Sequence, residues 1–80
     1  IEGTPADVDL PKLRESLGKI EGVTDIHDLH VWSLTSGVNA MSVHAVLTSD
    51  DQHGAVMKRV YDFVTKNFKI SHGTVQTEGA

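Results

Sequence analysis

Val38-Asn39-Ala40-Met41-Ser42-Val43-His44-Ala45-Val46-Leu47-Thr48-Ser49-Asp50-Asp51-Gln52 holds a strand and the start of a helix in one uninterrupted run. From Val38 to Thr48 the residues alternate, which is the two-residue period of a strand with one buried face. Met41, Val43, Ala45 and Leu47 form the better core face, leaving Ala40, Ser42, His44 and Val46 on the other. Ser49-Asp50-Asp51-Gln52 then matches a capping box, in which serine and glutamine side chains satisfy each other's free backbone donors, so a helix is expected from about Asp50. Its buried stripe is Val56, Val60, Phe63, Val64 and Phe68, with an end near Asn67.

Upstream, Asp9-Leu10-Pro11 opens a first helix: Asp9 caps the free amides, and proline is tolerated in the first turn, where its missing N–H has no partner. Leu10, Leu13, Leu17 and Ile20 recur at helical spacing, and Gly22 is the expected stop. Val23 to Leu34 reads as a strand, turned into the next by Thr35-Ser36-Gly37. Downstream, Thr74 to Glu78 reads as a short closing strand after His72-Gly73. The order is α-β-β-α-β, an α/β (α+β) sandwich in which two helices cover one face of a three-stranded sheet. The other face must meet water or a second subunit, and a homodimer would cover it.

Eighty residues suffice for one domain and are too few for two. Eleven acids against seven bases, a net charge of −4, exclude a phosphate-backbone binder, which needs a concentrated positive face, so nucleic acid is not an expected partner. No cysteine is present, so any metal must take nitrogen or oxygen ligands. No apolar run approaches the roughly 20 residues of a membrane-spanning helix, and the amino end lacks the layout of a signal peptide. The start at Ile1, without methionine, suggests a piece of something longer.

Five histidines in eighty residues is a high proportion, and placement decides what they can do. His27 and His30, three apart, point to opposite faces of a regular strand and serve one ion together only across a bulge. Asp28 has the opposite parity from His27, and the two reach one ion only through an irregular backbone. His44 lies on the non-core face, and His72 and Glu78 share a parity. If the strands are neighbours, His27, His44, His72 and Glu78 can converge as a tetrahedral set suited to zinc. The alternative for each histidine is a surface or half-buried side chain satisfied by water or backbone. His53, beside Asp50 and Asp51 at the second helix, is either part of an ion site or a solvated cap.

Trp32 shares a parity with His30 and Leu34. Either these three form a dimer-contact strip on the open face, or Trp32 and Leu34 enter the core. For catalysis there is no glycine-rich phosphate loop, no nucleophile elbow, and no partner that would make Asp28 and His27 a general base, so an enzyme is not expected.

Gly22-Val23-Thr24-Asp25-Ile26-His27-Asp28-Leu29-His30-Val31-Trp32-Ser33-Leu34 resembles the most recognisable stretch of the cytosolic domain of cation diffusion facilitators. Ser42-Val43-His44-Ala45-Val46 resembles the family's second histidine-bearing strand, and Ile70 to Glu78 its closing strand. The resemblance covers nearly the whole chain, in order, and is nearest to the bacterial cobalt-zinc-cadmium resistance branch. It implies a metallochaperone-like (ferredoxin-like) fold over residues 1–80, the carboxy-terminal cytosolic domain of a membrane transporter at the cytoplasmic face of the cell membrane. It further implies a homodimer that zinc, or cobalt, cadmium or nickel, draws into a closed form promoting transport by the transmembrane part of the same polypeptide. The family's metal positions fall on His27, His44 and His72, with Glu78 as fourth ligand and His53 as a position used in some members. Thr77 stands where members with a metal-bridged centre often carry an aspartate. The competing expectations are a free-standing metallochaperone-like module, which would bind metal without closing a dimer, and a small acylphosphatase-like hydrolase. The hydrolase needs an arginine in an anion pocket, whereas Arg14 and Arg59 both fall in expected helices.

Overall fold

In a computed structural model of the chain, residues 4–49 and 53–79 are described. They form α1 (Leu10–Gly18), β1 (Val23–Thr35), β2 (Val38–Leu47), α2 (His53–Asn67) and β3 (Ile70–Glu78), the expected α-β-β-α-β order. The sheet order is β1-β2-β3: β1 pairs with β2 antiparallel, as a hairpin, and β2 pairs with β3 parallel, across α2.

Asp9 caps α1 as expected, its carboxylate accepting from the Lys12 amide at 3.1 Å, with Pro11 in the first turn. The helix stops four residues before the expected glycine, at Gly18. Gly22 instead takes φ +97° in the turn that leads into β1, and a Cβ there would come within 2.7 Å of Val56 Cγ2. That glycine is needed for the close approach of the turn to α2, not to end a helix. The capping box expected at α2 extends into residues 50–52, outside the described residues. Gly37, at φ +77°, supplies the left-handed residue of the β1–β2 turn.

The core lies between the helices and one face of the sheet. Leu13 and Leu17 of α1 and Val56, Val60 and Val64 of α2 are fully buried against Met41, Val43, Ala45 and Leu47, the expected core face of β2. Leu10, Ile20, Phe63 and Phe68 close its margins. α1 lies over β1 and α2 over β3, and the buried residues of both join one cluster with the core face of β2, so both helices take the same face. Asn39 is the one buried polar residue among those described; its Nδ2 donates to Asp7 Oδ1 at 3.1 Å and to the Lys69 carbonyl at 2.8 Å.

β3 starts at Ile70, four residues earlier than expected, so His72 lies within the strand and not before it. Ile70 is buried and pairs with Asn39, and a register shift then sets His72 opposite Ala40. Serine, histidine and glycine carry weak strand signals of their own; here the parallel pairing with β2 extends the strand over them.

Candidate metal centre on the open sheet face

The face turned away from the helices is ordered by register into four rows. Trp32, Ala40 and His72 form the first, and His30, Ser42 and Thr74 the second. His27, His44 and Gln76 form the third, and Asp25, Val46 and Glu78 the fourth. Residues paired in register project from the same face, so five candidate side chains share this surface: His27, His30, His44, His72 and Glu78.

The expectation that His27 and His30 point apart is corrected by the backbone. His27 pairs with His44 and His30 with Ser42, so two residues of β1, Asp28 and Leu29, oppose Val43 alone. Asp28 takes φ +54°, the left-handed conformation, and the strand is bulged there. The irregularity required for His27 and His30 to share a face is therefore present. The signal for it was in the apolar spacing: Ile26 packs on the core and Leu29 and Val31 are buried in it, and this change from even to odd numbers requires an inserted residue.

At the β2–β3 side the geometry tightens. His44 Nε2 lies 2.5 Å from Glu78 Oε1, with the two side chains 28% and 49% exposed. The His27 and His44 rings meet edge to face with centroids 5.3 Å apart. A depression of about 180 Å³ opens beside them, lined by Asp28, His30, Ser42, His44, Thr74 and Gln76. Ser42, Thr74 and Gln76 did not stand out in the sequence, because their place beside His44 depends on a parallel register that no local pattern specifies.

His72 is brought to the same face but not to the same point. It pairs with Ala40, four residues from His44, which at about 3.3 Å per residue is roughly 13 Å along the sheet. His53 stands on the helix side, where its Nδ1 shares a hydrogen bond with Thr77 Oγ1 at 2.5 Å. Thr77 pairs with the core residue Ala45, whereas Glu78, the next residue, turns to the open face. Among the described residues no three His, Asp or Glu side chains are already gathered round one point that could hold a metal ion; His44, Glu78 and His27 are a partial set. At the far end Trp32 is 39% and Leu34 53% exposed, while Leu29 and Val31 are buried, so Trp32 belongs to the open face and not to the core.

The family described as the cytoplasmic domain of cation efflux proteins matches residues 5–80. The chain belongs to that family. This cation efflux cytoplasmic domain is 39% identical, over its whole length, to a cadmium, cobalt and zinc/H(+)-K(+) antiporter of Bacillus velezensis, of which it spans 26%. It is 37% identical over 98% of its length to the metal cation efflux system protein CzcD of Cupriavidus metallidurans, spanning 25% of that protein. The metal-bound carboxy-terminal domain of the CzcD transporter superposes with a TM-score of 0.81 at 33% identity, covering 89% of this chain and 99% of that one. The MamM carboxy-terminal domain, at 13% identity and a TM-score of 0.77 over 89% of this chain, shares the fold. The cation diffusion facilitator family and the metallochaperone-like sandwich expected from the sequence are thus the ones found, and the relatives are transporters, not enzymes. The cation efflux domain spans about a quarter of those transporters, and no helix among its described residues is long and apolar enough to cross a membrane.

Proposed function

We propose that this domain is the divalent-cation-sensing, homodimeric regulatory module of a cation diffusion facilitator efflux transporter, attached to the transmembrane part of the same polypeptide on its cytoplasmic side. Zinc is the ion proposed, with cobalt, cadmium and nickel as ions the same donors accept. The observation that carries this reading is that His44 meets both Glu78 and His27 on the sheet face that no helix covers. Two imidazoles and a carboxylate suit zinc in chemistry, and one further donor would complete a tetrahedron.

The remaining donors are proposed to come from the other protomer. A ligand shifts an equilibrium only by its differential affinity for the two states, and donors that meet only in the closed dimer supply that difference. His72, about 13 Å from His44 along its own sheet, is proposed as a donor that acts across the dimer. His30, Trp32 and Leu34 form the proposed dimer contact: His30 and Trp32 stand in rows of the open face, and Leu34, next along β1 but one, is exposed. Each protomer carries a net charge of −4, and every bound divalent cation offsets part of the repulsion between them.

Calorimetric zinc titration, paired with small-angle scattering of the same samples, tests the reading. Zinc is expected to bind and to compact the dimer, and His44→Ala to abolish both effects. Binding without compaction would favour a free-standing metal-binding module. Unchanged stoichiometry in His27→Ala, His44→Ala and His72→Ala would sink the ligand set.

A further inference from the structure

Asp28 is exposed, and among the described residues it is the only one other than glycine with positive φ. Side chains with a Cβ are disfavoured in the left-handed region; aspartate and asparagine are the best tolerated after glycine, and β-branched residues are the worst. Such a conformation persists where the surroundings impose it. Here they do so from both sides. Ile26 packs against the core and Leu29 is buried in it, and the odd number of steps between them cannot be accommodated by a regular strand. The extra residue falls at Asp28, and the parity of β1 reverses there: Asp25 and His27 lie on the open face before it, and His30 and Trp32 after it. The same bulge places Asp28 and His30 in the wall of the depression beside His44.

We propose that Asp28 is a positioning residue: its left-handed backbone, and not its carboxylate, holds His27 opposite His44 and His30 opposite Ser42 on one face of the sheet. The effect on zinc rests on the function proposed above, but the positioning itself does not. Through the bulge, the metal-facing half of β1 and the Trp32 half are presented together, and the zinc affinity of the His27, His44 and Glu78 group follows the tolerance of residue 28 for positive φ. An unbulged strand would turn either His27 or His30 and Trp32 toward the core.

The experiment is a series at one position, Asp28→Gly, Asp28→Asn, Asp28→Ala and Asp28→Val, read in two ways. Cross-strand backbone NOEs in the metal-free protein report the His27–His44 and His30–Ser42 pairings; zinc titration reports affinity. Glycine and asparagine are expected to keep both pairings and an affinity within about threefold of the parent, with alanine weaker and valine weaker than glycine by about tenfold or more. Should valine fail to fold, the order of glycine, asparagine and alanine still decides. A flat series with both pairings intact overturns the proposal. So does a loss of affinity common to all four variants with both pairings intact, which would make the carboxylate a ligand. If the parent binds no zinc, the metal-sensing function fails, and the pairings alone decide the role of Asp28.

Discussion

Glu78 reaches His44 diagonally: its Oε1 lies 2.5 Å from His44 Nε2, although its partner in register is Val46. The contact joins β3 to β2 across a parallel pair whose strands are separated in the chain by the whole of α2. It therefore depends on the tertiary register and would be lost by a slip of one residue.

Substituting either side should be felt by zinc. Glu78→Gln removes the anionic donor while keeping its shape, and we expect zinc affinity to fall by about tenfold or more, as for other changes close around a metal. Because imidazole must be deprotonated to ligate, protons compete with the metal, and affinity in the unsubstituted domain should fall as the solution is acidified. Affinity retained at pH 5 would assign binding to carboxylates alone.

His72 lies too far along the sheet to bind an ion with His44 of its own chain. His72→Ala should thus leave metal-free stability unchanged and weaken the zinc-dependent step in sedimentation or scattering. An unaltered zinc response of the dimer would remove His72 from the ligand set.

Gly22→Ala tests the approach of the β1 turn to α2. At φ +97° the new Cβ would stand 2.7 Å from Val56 Cγ2 and 3.3 Å from the Arg59 guanidinium. Backbone strain and overpacking together should cost about 1–3 kcal/mol, a fall in Tm of roughly 5–15 °C for a domain of this size. Differential scanning calorimetry gives the answer, and a Tm within 2 °C of the parent would contradict the geometry.

Asn39→Ala withdraws the donor from the Lys69 carbonyl and Asp7, with an expected loss of about 1–3 kcal/mol. Asn39→Asp should be worse, since it turns a carboxylate toward those two acceptors. Urea titration of both variants measures the order, and an aspartate variant as stable as the alanine variant would contradict the assigned partners.

The Lys58–Asp62 pair on α2 provides a contrast. The hydrogen bond to Asp62 and then its charge raise the Lys58 ammonium above 10.5. Because the folded-state value is raised, the stability it gives is complete below the ordinary lysine value and is lost as pH rises through the higher, folded-state one. Both ends are exposed, at 78% and 54%, so water and salt screen the pair. Asp62→Asn should leave Tm unchanged at neutral pH, and a clear loss would show the pair to be structural.

Much of the fold was legible in local pattern. The alternation of Met41, Val43, Ala45 and Leu47 and the stripe of Val56, Val60 and Val64 name the core surfaces, because burial imposes the periods of strand and helix on the residues themselves. The histidines were legible as a group but not as an arrangement. Strand parity separated His27 from His30, and the bulge at Asp28 reunites them; the sign of that bulge was the shift of apolar residues from Ile26 to Leu29.

The sequence alone determined the element order, the faces of β2 and α2, the cap of α1 and the family, all of which are written in neighbouring residues and ordered motifs. Only the tertiary structure decided which histidines meet. It set Glu78 against His44, moved His72 four residues away, and put His53 behind the sheet on Thr77. The physical reason is register: a strand's side chains are allotted to a face and a row by hydrogen bonds to a partner distant in the chain, and a single inserted residue reverses that allotment.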